Sequence, residues 1–233
     1  MKNQVLILAA GKGQRFAEAG FVEPKLLLKL RSKPILSYNL DTLLDRGYSP
    51  VVVGSPAVCR WMRASGYEGE VRIVQVNHLQ PSPVHSALLA SGFLDPSLPT
   101  WVLDGDQIYT PGALDRIVSL HTSECAVVSI HSGINPSRCD VVVNSLGVSL
   151  EEKAGKSEIT VAGGYYFPTW KSFHNAAVQV LAAANEDPFT ESRMSGVVNY
   201  LCADRCREVR IEENEWISAG TPEELVAAES ALR

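Results

Sequence analysis

Apolar positions along the chain alternate between two periods. Short, nearly continuous apolar runs at 4–10, 51–53, 71–76, 101–103 and 126–131 predict buried strands. Between them, apolar residues recur three and four apart, which predicts helices over 34–46, 57–64, 84–91 and 113–121. In the first of these Ile35, Leu36, Leu40, Leu43 and Leu44 share a face, and Gly47 marks the stop. Ser82 has the chemistry of an N-cap, with Pro83 at the first helical position and Gly92 as the end signal. Repeated strand–helix–strand units over the first 131 residues call for a parallel sheet covered on both faces.

Beyond residue 131 the rhythm changes. Segments 138–144, 147–150 and 159–167 read as strands in close succession, with an antiparallel element among them. Helices are expected over 170–184, 194–203 and 223–232, and short strands over 209–212 and 215–218. Trp170, Phe173 and Leu181 stand at helical spacing and belong to the core. The acidic residues Glu186, Asp187, Glu191, Glu212 and Glu213 suit a solvated surface. No repeat, low-complexity tract or Gly/Ser-rich linker divides the chain. The expected fold class is therefore α/β, a mixed, mostly parallel sheet flanked by helices, in a single domain over 1–233.

Composition narrows the function classes. The 233 residues are 45% hydrophobic and 20% charged, which excludes wholesale disorder. No run has a transmembrane or signal-peptide pattern, so no membrane association is expected. A net charge of -5 argues against a nucleic-acid binder. Its distribution is uneven: residues 1–33 hold seven Lys/Arg against two Glu, a net +5, leaving -10 for the rest. A basic first tenth on an acidic protein suggests one local anion site. The cysteines Cys59, Cys125, Cys139, Cys202 and Cys206 are odd in number and widely spaced, as expected for reduced thiols in a cytoplasmic protein. Cys202 and Cys206, four apart on an expected helix, seat at most half a metal site, because no second Cys/His pair stands at ligand spacing.

The anion site has a candidate. Residues Leu8, Ala9, Ala10, Gly11, Lys12, Gly13, Gln14 and Arg15 leave the first strand as a glycine-rich turn. Gly11 and Gly13 permit positive φ and let backbone N–H groups approach an anion closely. Lys12, Arg15 and, across a short loop, Lys25 add the cations that a triphosphate requires. Phe16 stands where a dinucleotide fingerprint needs its third glycine, and Gly-Lys-Ser/Thr is absent. By spacing alone the same residues also make a plain turn with solvated lysines. Asp104-Gly105-Asp106 likewise reads as a metal-binding motif or as a common turn at a strand end.

Leu-Ala-Ala-Gly-Lys-Gly-Gln-Arg-Phe at 8–16, followed by Glu23-Pro24-Lys25, resembles the signature of the nucleotidyltransferases that make nucleotide sugars, L-A-A-G-x-G-[ST]-R followed by P-K. The similarity continues in order along nearly the whole chain. Asp104-Gly105-Asp106 resembles the family's acidic turn, and Glu152-Lys153 its E-K-P, with Ala154 in place of the proline. Gly163-Gly164-Tyr165-Tyr166-Phe167 resembles G-x-Y-x-F, and the stretch from Trp216 to Glu223 resembles W-x-D-x-G-T-P-E.

The resemblance implies the Rossmann-like nucleotide-diphospho-sugar transferase fold, with a nucleotide-binding half (1–131) and an acceptor-binding half (132–233). It implies an enzyme that joins a nucleoside triphosphate to a phosphorylated small-molecule acceptor and releases pyrophosphate, with Mg²⁺ as cofactor. In that picture Leu8, Ala9, Ala10, Gly11, Lys12, Gly13 and Gln14 wrap the triphosphate, and Asn77, Ser86 and Asp104 complete the nucleotide site. Arg15 binds the β- and γ-phosphates, Lys25 neutralises the α-phosphate and Asp106 ligates the metal. Lys153 faces the acceptor's phosphate, beside Gly163 and Gly164. The compact length and the Ser-Ala-Gly-Thr-Pro end resemble members from capsule and surface-polysaccharide synthesis. A sugar 1-phosphate, a phosphorylated alcohol or amino-acid derivative, and a molybdopterin-type acceptor all fit the shared first motif.

Two further points depart from the family pattern. Ser218 stands where many members have a second metal-binding aspartate, and a hydroxyl substitutes poorly for a carboxylate on a hard cation. Asp104, Glu215 or water then completes the shell, with water around Asp106 the favoured reading. The loop over 77–86, where the family reads the base, has Val84 and His85 near the usual glycine and specifies no nucleobase; His85 either contacts ligand or caps a helix. Two other functions keep a foothold. Asp104 and Asp106 also match the Asp-x-Asp metal motif of sugar-nucleotide-dependent glycosyltransferases, although those lack the Gly-x-Gly-x-Arg…Pro-Lys stretch. A non-catalytic nucleotide-binding regulator on the same fold draws its support from Ser218. Oligomeric state does not follow from the sequence.

Overall fold

The computed structural model describes residues 2–76, 82–136, 138–144, 147–186, 192–202 and 206–231. Strand β1 (Gln4–Ala9) leads through a short helix α1 (Gln14–Glu18) and a 3-10 turn (Lys25–Leu27) into a small hairpin, β2 (Lys29–Leu30) and β3 (Lys33–Pro34). There follow α2 (Ile35–Asp45), β4 (Val51–Gly54), α3 (Pro56–Ala64), β5 (Arg72–Gln75), α4 (Pro83–Leu88), β6 (Thr100–Asp104), β7 (Gln107–Tyr109) and α5 (Pro111–Val118). The second half runs β8 (Ala126–His131), β9 (Cys139–Asn144), β10 (Gly147–Glu152), β11 (Ile159–Phe167), α6 (Trp170–Glu186) and α7 (Met194–Leu201). It closes with β12 (Arg207–Ile211), β13 (Trp216–Ser218) and α8 (Pro222–Ala231). No helix among the described residues is long and apolar enough to cross a membrane.

Among the described residues nine strands share one sheet. Strands β5, β4, β1 and β6 are parallel neighbours. The long β11 joins this group to the rest: its C-terminal part pairs antiparallel with β6, and its other edge pairs with β8. Strand β12 extends the sheet parallel to β8, and the β9–β10 hairpin attaches where Thr160 of β11 pairs with Asp140. Only β10 and β11 run against the other seven strands. The mixed, mostly parallel sheet expected from the sequence is the one that forms, and helices cover both faces.

The apolar runs are continuous because both faces are buried. In β1, Val5, Ile7 and Ala9 face one layer with α2, α3, α5 and α8, while Leu6 faces the other with α4, α6 and α7. Trp170 and Phe173 are buried in that second layer and stack with their ring centroids 4.5 Å apart, as their helical spacing predicts. Helices α3, α4 and α5 all begin with a hydroxyl residue followed by proline. The side chains of Ser55, Ser82 and Thr110 accept hydrogen bonds from the N–H groups of Val58, His85 and Ala113. These caps fix where each helix leaves its strand, and the proline has no N–H to leave unpaired.

Some details differ from the sequence reading. Helix α1, the β2–β3 hairpin and β7 are additional elements. Helix α7 stops at Leu201 and Cys206 directly precedes β12, so Cys202 and Cys206 do not share a helix. Both are buried, as is Cys125, whose carbonyl accepts the N–H of Arg207 at 2.8 Å. Glu212 and Glu213 are exposed, as expected, while Asp187 and Glu191 lie outside the described residues.

Candidate active site

The site forms where the carboxyl ends of β1 and β6 lie side by side. Leu8 pairs in register with Asp104, and the N–H of Gly105 donates to the Leu8 carbonyl at 2.9 Å. A Cβ at position 105 would stand 2.8 Å from that oxygen, so only glycine lets the acidic turn come this close to the glycine-rich loop. The two motifs border a cleft of about 770 Å³. Leu8, Ala10, Gly11, Lys12, Gly13, Gln14, Arg15, Lys25, Ser86, Asp104, Asp106 and Gly163 all line it. Residues far apart in the chain thus meet in one concavity, with the basic loop directly beside the carboxylates.

Three residues expected at the site are placed differently. Ala9 is buried in the sheet, because its side chain alternates to the core face of β1. Gly164 is packed against Val128 and the Tyr109 hydroxyl on the face away from the cleft. Lys153 is exposed, does not line the cleft, and has a positive φ of 53° as the chain turns out of β10. Asn77 lies outside the described residues. His85 is also no part of the lining; its ring Nδ1 lies 3.0 Å from the Ser82 hydroxyl, so it belongs to the α4 cap.

At the centre Lys25 Nζ contacts Asp106 Oδ2 at 2.5 Å, and Gln107 Nε2 donates to Asp106 Oδ1 at 2.8 Å. Burial works against the Asp106 charge, but the Lys25 ammonium and these hydrogen bonds hold its carboxyl below the usual range. Burial, reinforced by the neighbouring Asp106 charge, pushes Asp104 up to about 8. Gly163, at φ 80°, brings the β11 backbone directly against these groups: a Cβ there would lie 2.3 Å from Gln107 Cγ and 3.1 Å from Asp104 Oδ2.

Ser218 reaches the cleft because β13 pairs with β7, aligning Ser218 with Gln107, and the Ala219 N–H donates to the Asp106 carbonyl at 2.9 Å. Glu215, weighed above as a ligand, is turned away and forms two hydrogen bonds with Arg116, at 2.9 and 2.6 Å. The carboxylate beside Ser218 belongs instead to Glu224. Its Oε2 accepts from the Ser218 hydroxyl at 2.8 Å and from the Gly220 N–H at 3.0 Å, and its Oε1 accepts from Arg138 at 2.8 Å.

These groups fit a hard divalent cation. Asp104, Asp106 and Gln107 present side-chain oxygens at the turn, and the amide Oε1 of Gln107 is buried there without a hydrogen-bond partner. No three His, Cys, Asp or Glu side chains converge as a closed cage among the described residues. A cation at Asp106 would therefore draw most of its shell from phosphate oxygens and water, the usual arrangement for Mg²⁺.

The second half of the chain contributes residues to which the motifs assigned no role. Arg138 lies over the Trp216 ring, 4.7 Å from its centroid, while held by Glu224. Arg193 donates to Glu152 at 2.8 Å, and Ser195 donates to the same carboxylate at 2.6 Å. Arg138, Glu152, Arg193, Trp216 and Glu224 all line the cleft. Glu152 had a signal in its E-K pair. The two arginines had none, since each is a lone cation among unrelated neighbours.

Comparison with known proteins places these features in a family. The family of MobA-like NTP transferase domains matches residues 5–196. A CMP-5'-(3-aminopropyl)phosphonate synthase from Streptomyces rubellomurinus is 29% identical over 144 residues, 60% of this chain and 22% of that protein. The bifunctional protein GlmU of Burkholderia thailandensis is 36% identical over 112 residues, 48% of this chain and 24% of its own. The chain thus aligns with about a quarter or less of the length of these curated relatives. Among solved structures, a nucleoside-diphosphate-sugar pyrophosphorylase from Vibrio cholerae RC9 superposes with a TM-score of 0.80 at 16% identity, covering 97% of this chain and all of that one. An inositol-1-phosphate CTP transferase from T. maritima gives 0.73 at 15% identity, covering 99% and 96%. At these identities the superpositions speak for the fold.

Proposed function

Since the chain belongs to the family of MobA-like NTP transferase domains, we propose that residues 1–233 act as one catalytic unit joining a nucleoside triphosphate to a phosphorylated acceptor. The observation that carries this reading is the Lys25–Asp106 pair, set where the glycine-rich loop meets the acidic turn. A cation and a carboxylate in contact at the mouth of an anion loop suit a reaction at a phosphate ester. The relatives' names point to a sugar phosphate or another phosphate or phosphonate ester as the acceptor class. The setting would be the cytoplasm, and the product a precursor of surface polysaccharide or a related conjugate.

The chemistry is an in-line displacement. An oxygen of the acceptor's dianion attacks the α-phosphorus, the bond to the β-phosphate oxygen breaks, and pyrophosphate departs with its electron pair. The attacking oxygen is already ionised at neutral pH, so no proton has to be moved. Lys12 and Arg15 hold the departing phosphates, and Lys25 supplies positive charge where it builds up on the α-phosphate oxygens. Asp106 would hold Mg²⁺, with Asp104 beside it, and the ion would neutralise phosphate charge.

A matrix of the common nucleoside triphosphates against glucose 1-phosphate, inositol 1-phosphate and aminoalkylphosphonates, read by pyrophosphate formation, tests the reading. At least one pair should turn over, and Lys25→Ala should lower kcat by about two to three orders of magnitude, as for one transition-state charge contact. Near wild-type turnover in that variant sinks the assignment.

A further inference from the structure

A dianionic acceptor cannot approach a triphosphate without positive charge of its own to meet it. Lys12, Arg15 and Lys25, the lining cations of the first loop and its continuation, are assigned to the nucleotide in the reading above. The second half of the chain contributes Arg138 and Arg193 as its lining cations among the described residues. They reach it from different places. Arg138 precedes β9 and Arg193 precedes α7, yet both side chains are largely covered, at 20% and 28% exposure.

Both are also fixed in orientation. Glu224 and the Trp216 ring hold Arg138, and Glu152 holds Arg193. Each holding carboxylate is itself anchored, Glu224 by Ser218 and Gly220, and Glu152 by Ser195. Such backing pairs keep a guanidinium's fork aimed while leaving it cationic, and the fork suits two oxygens of a tetrahedral oxyanion. Lys153, which the family resemblance put in this role, is outside the cleft; its N–H donates to the Arg138 carbonyl at 2.9 Å.

We propose that Arg138 and Arg193 form a two-pronged clamp for the acceptor's phosphate or phosphonate dianion, and that Glu224 and Glu152 are the positioning residues behind them. The proposal deepens the transferase reading and rests on it for the identity of the dianion as acceptor. Phosphate and phosphonate esters present the same three-oxygen face, so the clamp accepts the class and the remainder of the cleft selects the ester.

The full-length protein is titrated with methyl phosphate and, separately, with methylphosphonate, and binding is followed by ³¹P NMR. Arg138→Met and Arg193→Met should each weaken the dianion about tenfold to a hundredfold, the size of a lost charged hydrogen bond. Arg→Lys at either position should recover part of the loss, since it restores the charge without the fork. Nucleotide affinity should change by less than about threefold, because neither arginine belongs to the glycine-rich loop or the acidic turn. The probe that binds more tightly identifies the ester class. Thermal unfolding monitors each variant, and where a methionine variant does not fold, the lysine variant at that position and the other arginine decide. Unchanged dianion affinity in both arginine positions overturns the clamp. So does a loss in Lys153→Ala with the arginine variants intact, or a parallel loss of nucleotide affinity. If the wild-type protein releases no pyrophosphate with any pair yet binds the dianion through both arginines, the transferase reading fails and the clamp stands.

Discussion

At Gly163 the backbone holds φ at 80° and passes within van der Waals range of Asp104 and Gln107. Both constraints exclude a side chain, one through backbone strain and the other through space. Gly163→Ala should therefore cost about 2–4 kcal/mol, combining a left-handed non-glycine residue with an overpacked contact. Urea unfolding would read that cost as a lower midpoint at unchanged slope. The same substitution pushes on the carboxylate pair, so nucleotide affinity in the presence of Mg²⁺ should fall with it. At this scale the sequence is readable where a role belongs to a run of neighbours. Gly11, Gly13, Arg15, Lys25, Asp104 and Asp106 sit in contiguous signatures, and the structure gathers all six around one cleft. Arg138, Arg193 and Glu224 were not readable, because their roles arise from partners 86 and 41 positions away, as in Arg138–Glu224 and Arg193–Glu152. Lys153 shows the converse: a local motif placed it at the cleft, and the turn at the end of β10 carries it outward.

Among the elements, the three Ser/Thr-Pro starts do the same job at three strand ends. Thr110→Ala removes the α5 cap and should cost about 1 kcal/mol, seen as a shift in the unfolding midpoint. Turnover should stay within about twofold, since Thr110 does not line the cleft. A large loss of kcat without a loss of stability would show that α5 couples to the site directly. The long strands and helices followed from their apolar period, because each buries enough residues for the period to appear. Three of the short elements did not. Strands β2, β3 and β7 have two or three residues each, too few to display a period, and they exist through pairing. Ile108 of β7 meets Ile217 of β13 more than a hundred positions later, and that contact brings Ser218 to the cleft.

Across the whole molecule, the basic first tenth and the acidic remainder meet at one cleft. Only Lys12, Arg15 and Lys25 of the seven early cations line it; Lys2 instead donates to the carbonyls of Arg46 and Gly47, and Lys33 pairs with Asp41. Ligand that bridges the basic loop and the carboxylates must stabilise the fold. With Mg²⁺ and nucleotide at a hundred times its dissociation constant, the gain should be about 2.7 kcal/mol, visible as a raised thermal midpoint. Chelating the metal with EDTA should remove most of that rise if Mg²⁺ joins triphosphate to Asp106. An undiminished rise would show that the basic loop holds nucleotide alone.

Strand β11 passes between β6 and β8, bonded to both, with its register shifted at Ala162, Gly163 and Gly164. A chain severed after residue 131 would leave β6 with a bare apolar margin and β8 without either neighbour. Such edges are adhesive, and the piece would self-associate on its own. Supplied with the missing piece, the same edges form a slot of defined width and polarity. The fold thereby suits split-protein complementation, in which two inert polypeptides regain turnover only when β11 of one closes the sheet of the other.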